Sequence, residues 1–183
     1  MSRLIGSPGG MGESGPQCGA AATLYPRPRI APPMGRLTDS VDIATPPETV
    51  YAWLAHLDEH YVEWHPDHVS CRWLRGGADQ VGSVLECVEL LHGSRHALRM
   101  RIRRAEAPRL IEFACLAPAS LVTRGGSFIV EARGAGSRFT ASLDFRGGRL
   151  LEMLARRRVE ALRAHMREEG ENLQRLLGRQ AAP

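Results

Sequence analysis

The sequence predicts an α+β domain: a curved antiparallel sheet wrapped around one long C-terminal helix, with two short helices after the first strand. Three observations predict it. Residues 69–145 hold six strand-like runs separated by short turn signals, so the strands join through hairpins and pair antiparallel. After Gly147-Gly148 the apolar spacing switches to that of a helix running from about Leu150 to Leu177. One sheet and one long helix can bury their apolar faces only against each other.

The elements follow in order. Ser40-Val41-Asp42-Ile43-Ala44 alternates as a half-buried strand does, and order is expected from Leu37. Thr45-Pro46-Pro47-Glu48 opens a helix, with Thr45 or Pro46 near the cap, proline in the first turn and a carboxylate at the positive end. Val50, Trp53, Leu54 and Leu57 give that helix an apolar stripe, and the His-rich stretch from His56 to His68 reads as a short second helix and a loop. The six runs are about 69–74, 83–91, 96–103, 110–116, 126–132 and 138–145, with Gly178 as the expected stop of the long helix.

Residues 1–36, rich in Gly, Pro, Ala and Ser, show no hydrophobic period and are expected to be a disordered leader, with 37–183 as the domain. Met34 stands immediately before the ordered part, which makes a misplaced start a live alternative. The sequence pI of about 9.2 is weakened as a nucleic-acid signal by position. The leader carries four arginines against one glutamate, which leaves 20 basic and 19 acidic groups in the domain. So balanced a domain lacks the footprint of a phosphate-backbone binder. No apolar run approaches the roughly 20 residues of a membrane span, and no signal-peptide core is present, so a cytoplasmic protein is expected. Cys18, Cys71, Cys87 and Cys115 have no CxxC spacing and read as free thiols.

Three groups of residues could carry chemistry. His165 and Glu169 are four apart on the long helix, along the edge of its apolar stripe. Such a pair either converges on one point or forms a surface ion pair. The second group, Tyr61 to His68, packs His65 and His68 among aromatics just before a strand; its plainer reading is a polar loop with one histidine satisfied in the core. The third is the run Glu86 to Gly93. Glu86 and Glu89 are three apart and occupy opposite faces of a regular strand, and the apolarity of their neighbours does not decide which face is inward.

The element order resembles the helix-grip superfamily, which includes START lipid-transfer domains, polyketide cyclases and the birch-pollen allergen, over residues 37–178. That resemblance implies a cavity for a small hydrophobic or aromatic ligand. Tyr61-x-x-Trp64-His65-Pro66-x-His68, the run from Glu89 to Gly93, and His165-x-x-x-Glu169-x-x-Asn172-Leu173 are similar to the diacetylphloroglucinol and phloretin hydrolase branch. There a zinc ion is held by two histidines and two glutamates. Carried over, the ligands are His68, Glu89 (or Glu86 in its place), His165 and Glu169, for zinc or another divalent transition metal. Tyr61 falls where those enzymes place a phenol that hydrogen-bonds the substrate, and His65 is a further candidate for proton transfer.

The expected function is a metal-dependent hydrolase of a small aromatic or polyketide-like ketone. The metal would polarise the carbonyl or supply hydroxide at neutral pH. Two alternatives stand beside it: a non-catalytic carrier of a hydrophobic ligand, and a metal-free polyketide cyclase or dehydratase with His65 or His68 as base.

Overall fold

The computed structural model describes residues 35–91, 93–146 and 156–180. The expected leader, apart from Gly35 and Arg36, and the expected start of the long helix at Leu150 lie outside them. Among the described residues seven strands form one sheet in the order β1-β7-β6-β5-β4-β3-β2, with every neighbouring pair antiparallel. They are β1 (Gly35–Ile43), β2 (His68–Arg75), β3 (Val84–Leu91), β4 (Ser94–Glu106), β5 (Leu110–Cys115), β6 (Thr123–Arg133) and β7 (Gly136–Phe145). The α-helices among the described residues are α1 (Pro47–Ala55), α2 (Leu57–Trp64) and α3 (Arg156–Gln180). The sheet curves around α3 in a helix-grip fold, as the order of elements predicts.

β2 through β7 run as a meander, with tight reversals between β3 and β4 and between β6 and β7. Leu91 pairs with Ser94 and Gly93 takes a φ of 75°, while Arg133 pairs with Gly136 and Gly134 takes a φ of 60°. Those left-handed values suit the two-residue turns that match strand twist. Strands β1 and β2 are the sheet's two edges, and α1 and α2 carry the chain from one to the other.

Several boundaries differ from expectation, each for a local reason. β1 starts at Gly35, because Gly35 and Arg36 pair with Phe145 and Asp144 and the Arg36 guanidinium grips the Asp144 carboxylate at 2.6 and 3.0 Å. Gly178 does not stop α3, which continues to Gln180; no left-handed φ occurs there. Pro46 is the cap residue of α1 and makes no side-chain cap bond; the Thr45 hydroxyl points instead toward the Leu177 carbonyl, 3.5 Å away.

The core lies between the concave face of the sheet and the helices. Val50 and Trp53 from α1, Trp64 from α2, Phe139 from β7, and Leu173 and Leu177 from α3 are almost wholly buried. α3 lies directly on β1 at Gly170, where an added Cβ would stand 3.3 Å from the Asp39 carboxylate and 3.5 Å from Val41. Close approach within the sheet is set by Gly126 on β6: an added Cβ would stand 2.1 Å from the Ser142 carbonyl oxygen of β7 and 2.9 Å from the Phe113 ring. A backbone oxygen in a paired strand has no room to retreat. Gly126→Ala is therefore expected to destabilise the domain by about 1–3 kcal/mol, read as a lower urea midpoint. Gly77→Ala, whose Cβ would meet nothing within 4 Å, should leave that midpoint nearly unchanged.

The concave face also encloses an apolar cavity of about 20 Å³, room for about one water molecule. Trp73, Met100, Phe113 and Phe128 are among the side chains that fill the surrounding space. Among the described residues this cavity is smaller than the ligand-sized hollow expected from the resemblance, and a ring-sized guest in it requires those side chains to part. No helix of the described residues is long and apolar enough to cross a membrane.

Candidate functional site

Near the C-terminal end of β3 the concave face becomes polar. Leu85, Cys87 and Glu89 share that face. Glu86 is on the opposite face, where Arg72 and Arg99 donate to its two oxygens at 2.8 and 2.7 Å. Those hydrogen bonds hold the Glu86 carboxyl below the ordinary carboxylate range. Strand parity leaves the choice between the two glutamates open, and the register places Glu89 inward and Glu86 outward.

His68 reaches the same face through an irregularity. Cys71 and Trp73 pair with Cys87 and Leu85, so a regular β2 would turn His68, three residues before Cys71, outward. The register shifts between His68 and Ser70: His68 pairs with Glu89 and Ser70 with Val88, leaving Val69 as the extra residue of a β-bulge. Bulges re-aim side chains in this way. The His68 imidazole is consequently buried, stacked on the Tyr61 ring with centroids 3.8 Å apart.

α3 supplies the third side. His165 and Glu169, one turn apart, both point at the His68–Glu89 pair. His68 Nε2 lies 3.1 Å from Glu169 Oε1, and His165 Nε2 lies 3.7 Å from the same oxygen and 3.9 Å from Glu89 Oε2. The helix is fixed against α2 by two bonds at one residue: the Trp64 indole N–H donates to the Glu169 carbonyl, and the Asn172 amide donates to the Trp64 carbonyl, each at 2.8 Å.

The four side chains share an electrostatic difficulty. Burial, then the neighbouring Glu169 charge, pushes the Glu89 carboxyl up to about 7, and burial pushes Glu169 to about 7. Burial also lowers the pKa of His68 and His165, so both favour the neutral ring. The His68 Nδ1–H donates to the Tyr61 carbonyl at 2.8 Å, which leaves the lone pair on Nε2. The Nε2 atoms of both His68 and His165 are buried without a hydrogen-bond partner, despite the carboxylate oxygens beside them. Buried nitrogens are normally satisfied. Two unpartnered imidazole nitrogens converging on two carboxylates are a suitable donor set for a divalent transition metal. A backbone acceptor on the far nitrogen of His68 is the usual support for such a ligand.

His65 is differently placed. It lies within ligand distance of His68 and His165, but the Asp67 backbone N–H donates to its Nδ1 at 3.1 Å and its Nε2 faces Glu168 Oε2 at 3.1 Å. Both nitrogens are occupied, so His65 buttresses the cluster. Its ring lies 4.2 Å from that of His165. Tyr61, expected near a substrate, directs its hydroxyl to Glu89 Oε2 at 3.4 Å, and burial pushes its pKa upward. No sequence signal marks Glu168 as the partner of His65. Asn172 stood in the motif without a role, and its bond to Trp64 supplies one.

A sequence profile described as polyketide cyclase / dehydrase and lipid transport matches residues 34–178. The chain belongs to that family. No curated protein matches its sequence. Solved structures show the same fold at low identity. TTHA0849 from Thermus thermophilus is 16% identical, with a TM-score of 0.65 over 81% of this chain and 100% of that one. Protein Ms6760 from Mycobacterium smegmatis is 15% identical, with a TM-score of 0.62 over 80% and 93%. The Zhui aromatase/cyclase from Streptomyces sp. R1128 is 20% identical, with a TM-score of 0.58 over 78% and 95%. These likenesses define the architecture of this polyketide cyclase/dehydrase family member, whose polar cluster has to be read from its own residues.

Proposed function

We propose that this protein takes a small aromatic or polyketide-like ketone against its concave face and acts on it with a divalent-metal site made by His68, Glu89, His165 and Glu169. The observation that carries the metal is the pair of buried, unpartnered Nε2 atoms facing two carboxylates. A bound divalent ion would polarise a carbonyl and lower the pKa of water. The chain's own residues do the rest. Tyr61 orients Glu89 through its hydroxyl and His68 through its backbone carbonyl. Trp64 and Asn172 hold α3 in place, and the apolar lining offers a surface for the ketone's apolar part. Hydrolysis of a carbon–carbon bond next to the carbonyl is the reaction the motif resemblance favours.

A second reading has its own support. The family description and the aromatase/cyclase title of one neighbour favour metal-free cyclisation or dehydration more directly than hydrolysis. The same carboxylates and imidazoles would then act as acid and base.

Elemental analysis of protein purified without an affinity tag separates the two. The metal reading expects close to one transition-metal ion per chain. Glu89→Gln should lower that content sharply, and Glu86→Gln, which alters only the outer-face ion pairs, should leave it nearly intact. Metal-free protein that takes up no zinc, iron or manganese on titration would sink the metal reading. Turnover of a polyketide-type ketone by that same protein would establish the second.

A further inference from the structure

The described residues contain three free thiols, and two are placed for chemistry with each other. Cys71 and Cys87 are directly opposite in the β2–β3 register, and both face the concave side. Their sulfurs are 3.1 Å apart, inside the 3.5–4.0 Å of ordinary non-bonded contact. Facing residues in antiparallel strands have β-carbons about 4.5–5.5 Å apart, and a disulfide needs about 3.5–4.5 Å. The closing movement is therefore small. β2 is also an edge strand, hydrogen-bonded within the sheet to β3 alone. Cys71 is half-buried and Cys87 is 1% exposed, so a dissolved oxidant meets Cys71 first.

We propose that Cys71 and Cys87 are a reversible redox pair whose disulfide pins β2 to β3 beside the His68–Glu89 pair, with a low-molecular-weight disulfide as oxidant. The Cys71 thiolate attacks one sulfur of oxidised glutathione. That S–S bond breaks, one glutathione leaves as thiolate, and it takes up a proton equivalent to the one Cys71 released. The Cys87 thiolate, its proton lost to solvent, then attacks the Cys71 sulfur of the mixed disulfide and expels the second glutathione, which is protonated in turn. Two protein thiols are oxidised by two electrons, and one glutathione disulfide is reduced to two thiols. Cys87 is 1% exposed, so its sulfur is reached through Cys71 rather than directly by the dissolved disulfide. Between the new bond and the His68–Glu89 pair lie only the Ser70–Val88 pair and the Val69 bulge. Oxidation fixes the strand pairing that aims His68. The inference does not depend on a metal being bound there.

The test uses the full chain with Cys18 and Cys115 replaced by serine, equilibrated across glutathione redox buffers, trapped with an alkylating reagent under denaturing conditions and weighed intact. A monomer lighter by two hydrogens that resists alkylation should appear as the buffer becomes oxidising and disappear with dithiothreitol. Its Tm should exceed that of the reduced form by about 5 °C or more, since the bond closes a short loop in the unfolded chain. Adding Cys87→Ser should halt the reaction at a mixed disulfide on Cys71, whereas Cys71→Ser should leave Cys87 largely unmodified. The proposal is overturned if both thiols are alkylated at every buffer ratio, if disulfides form only between chains, if the intact pair stops at the mixed disulfide, or if the oxidised form melts no higher than the reduced one.

Discussion

His68→Ala is expected to weaken divalent-metal binding by about a hundredfold or more. Losing the support of a metal ligand alone costs about 10–100-fold, and this change removes a donor. His165→Ala should match it, because both imidazoles present unpartnered nitrogens to the Glu169 carboxylate. His65→Ala should cost much less, since both of its nitrogens are already engaged by the Asp67 backbone and Glu168. Competition with a chromophoric chelator reads all three affinities. An equal loss in His65→Ala and His68→Ala would assign the donors to the three histidines and release the carboxylates from that role. Metal should also raise the Tm of the wild-type chain, because the donors come from α3, β2 and β3 and the ion would tie helix to sheet.

The largest stability effect is expected at Trp64. Its ring is 2% exposed and touches Trp53, His68 and Phe128 edge-on, with centroids 5.4–6.0 Å away. Trp64→Ala should cost about 3–5 kcal/mol from packing. It also removes the indole bond to the Glu169 carbonyl. Trp64→Phe keeps a ring in the pocket and should recover most of that, with about 1 kcal/mol attributable to the lost N–H. Urea unfolding followed by far-UV circular dichroism measures both variants. If the two proved equally damaging, the indole bond rather than the packed ring would dominate the coupling of α2 to α3.

Much of this architecture is legible from local pattern. Alternation places the first strand, and alternation with turn residues places the other six, because hairpins are governed by short-range rules. The four-residue spacing of His165 and Glu169 puts them on one helical face wherever the helix docks. The features that escaped are those set by pairing between segments. Whether His65 or His68 turns inward depends on the register of β2 against β3. Glu86 is as buried as Glu89, so burial alone would not have separated them. What separates them is two arginines from neighbouring strands, which no window of sequence brings together. Glu168 looks like an ordinary exposed carboxylate until α2 delivers His65 to it. The small free volume of the cavity likewise depends on rotamers of Trp73 and Phe128, which composition does not specify.

The bulge at Val69 bears on how such a site is to be found in other chains. With Val69 present, His68 stands opposite Glu89 at a spacing of three residues from Cys71. Were Val69 absent, a regular ladder would seat the same histidine opposite the same glutamate at a spacing of two. One codon more or less in this strand thus leaves the pairing intact. A motif written with a fixed number of residues between this histidine and the rest of β2 would reject chains that hold the same constellation. Insertions at this point should be judged by which residue faces the glutamate rather than by the count along the chain.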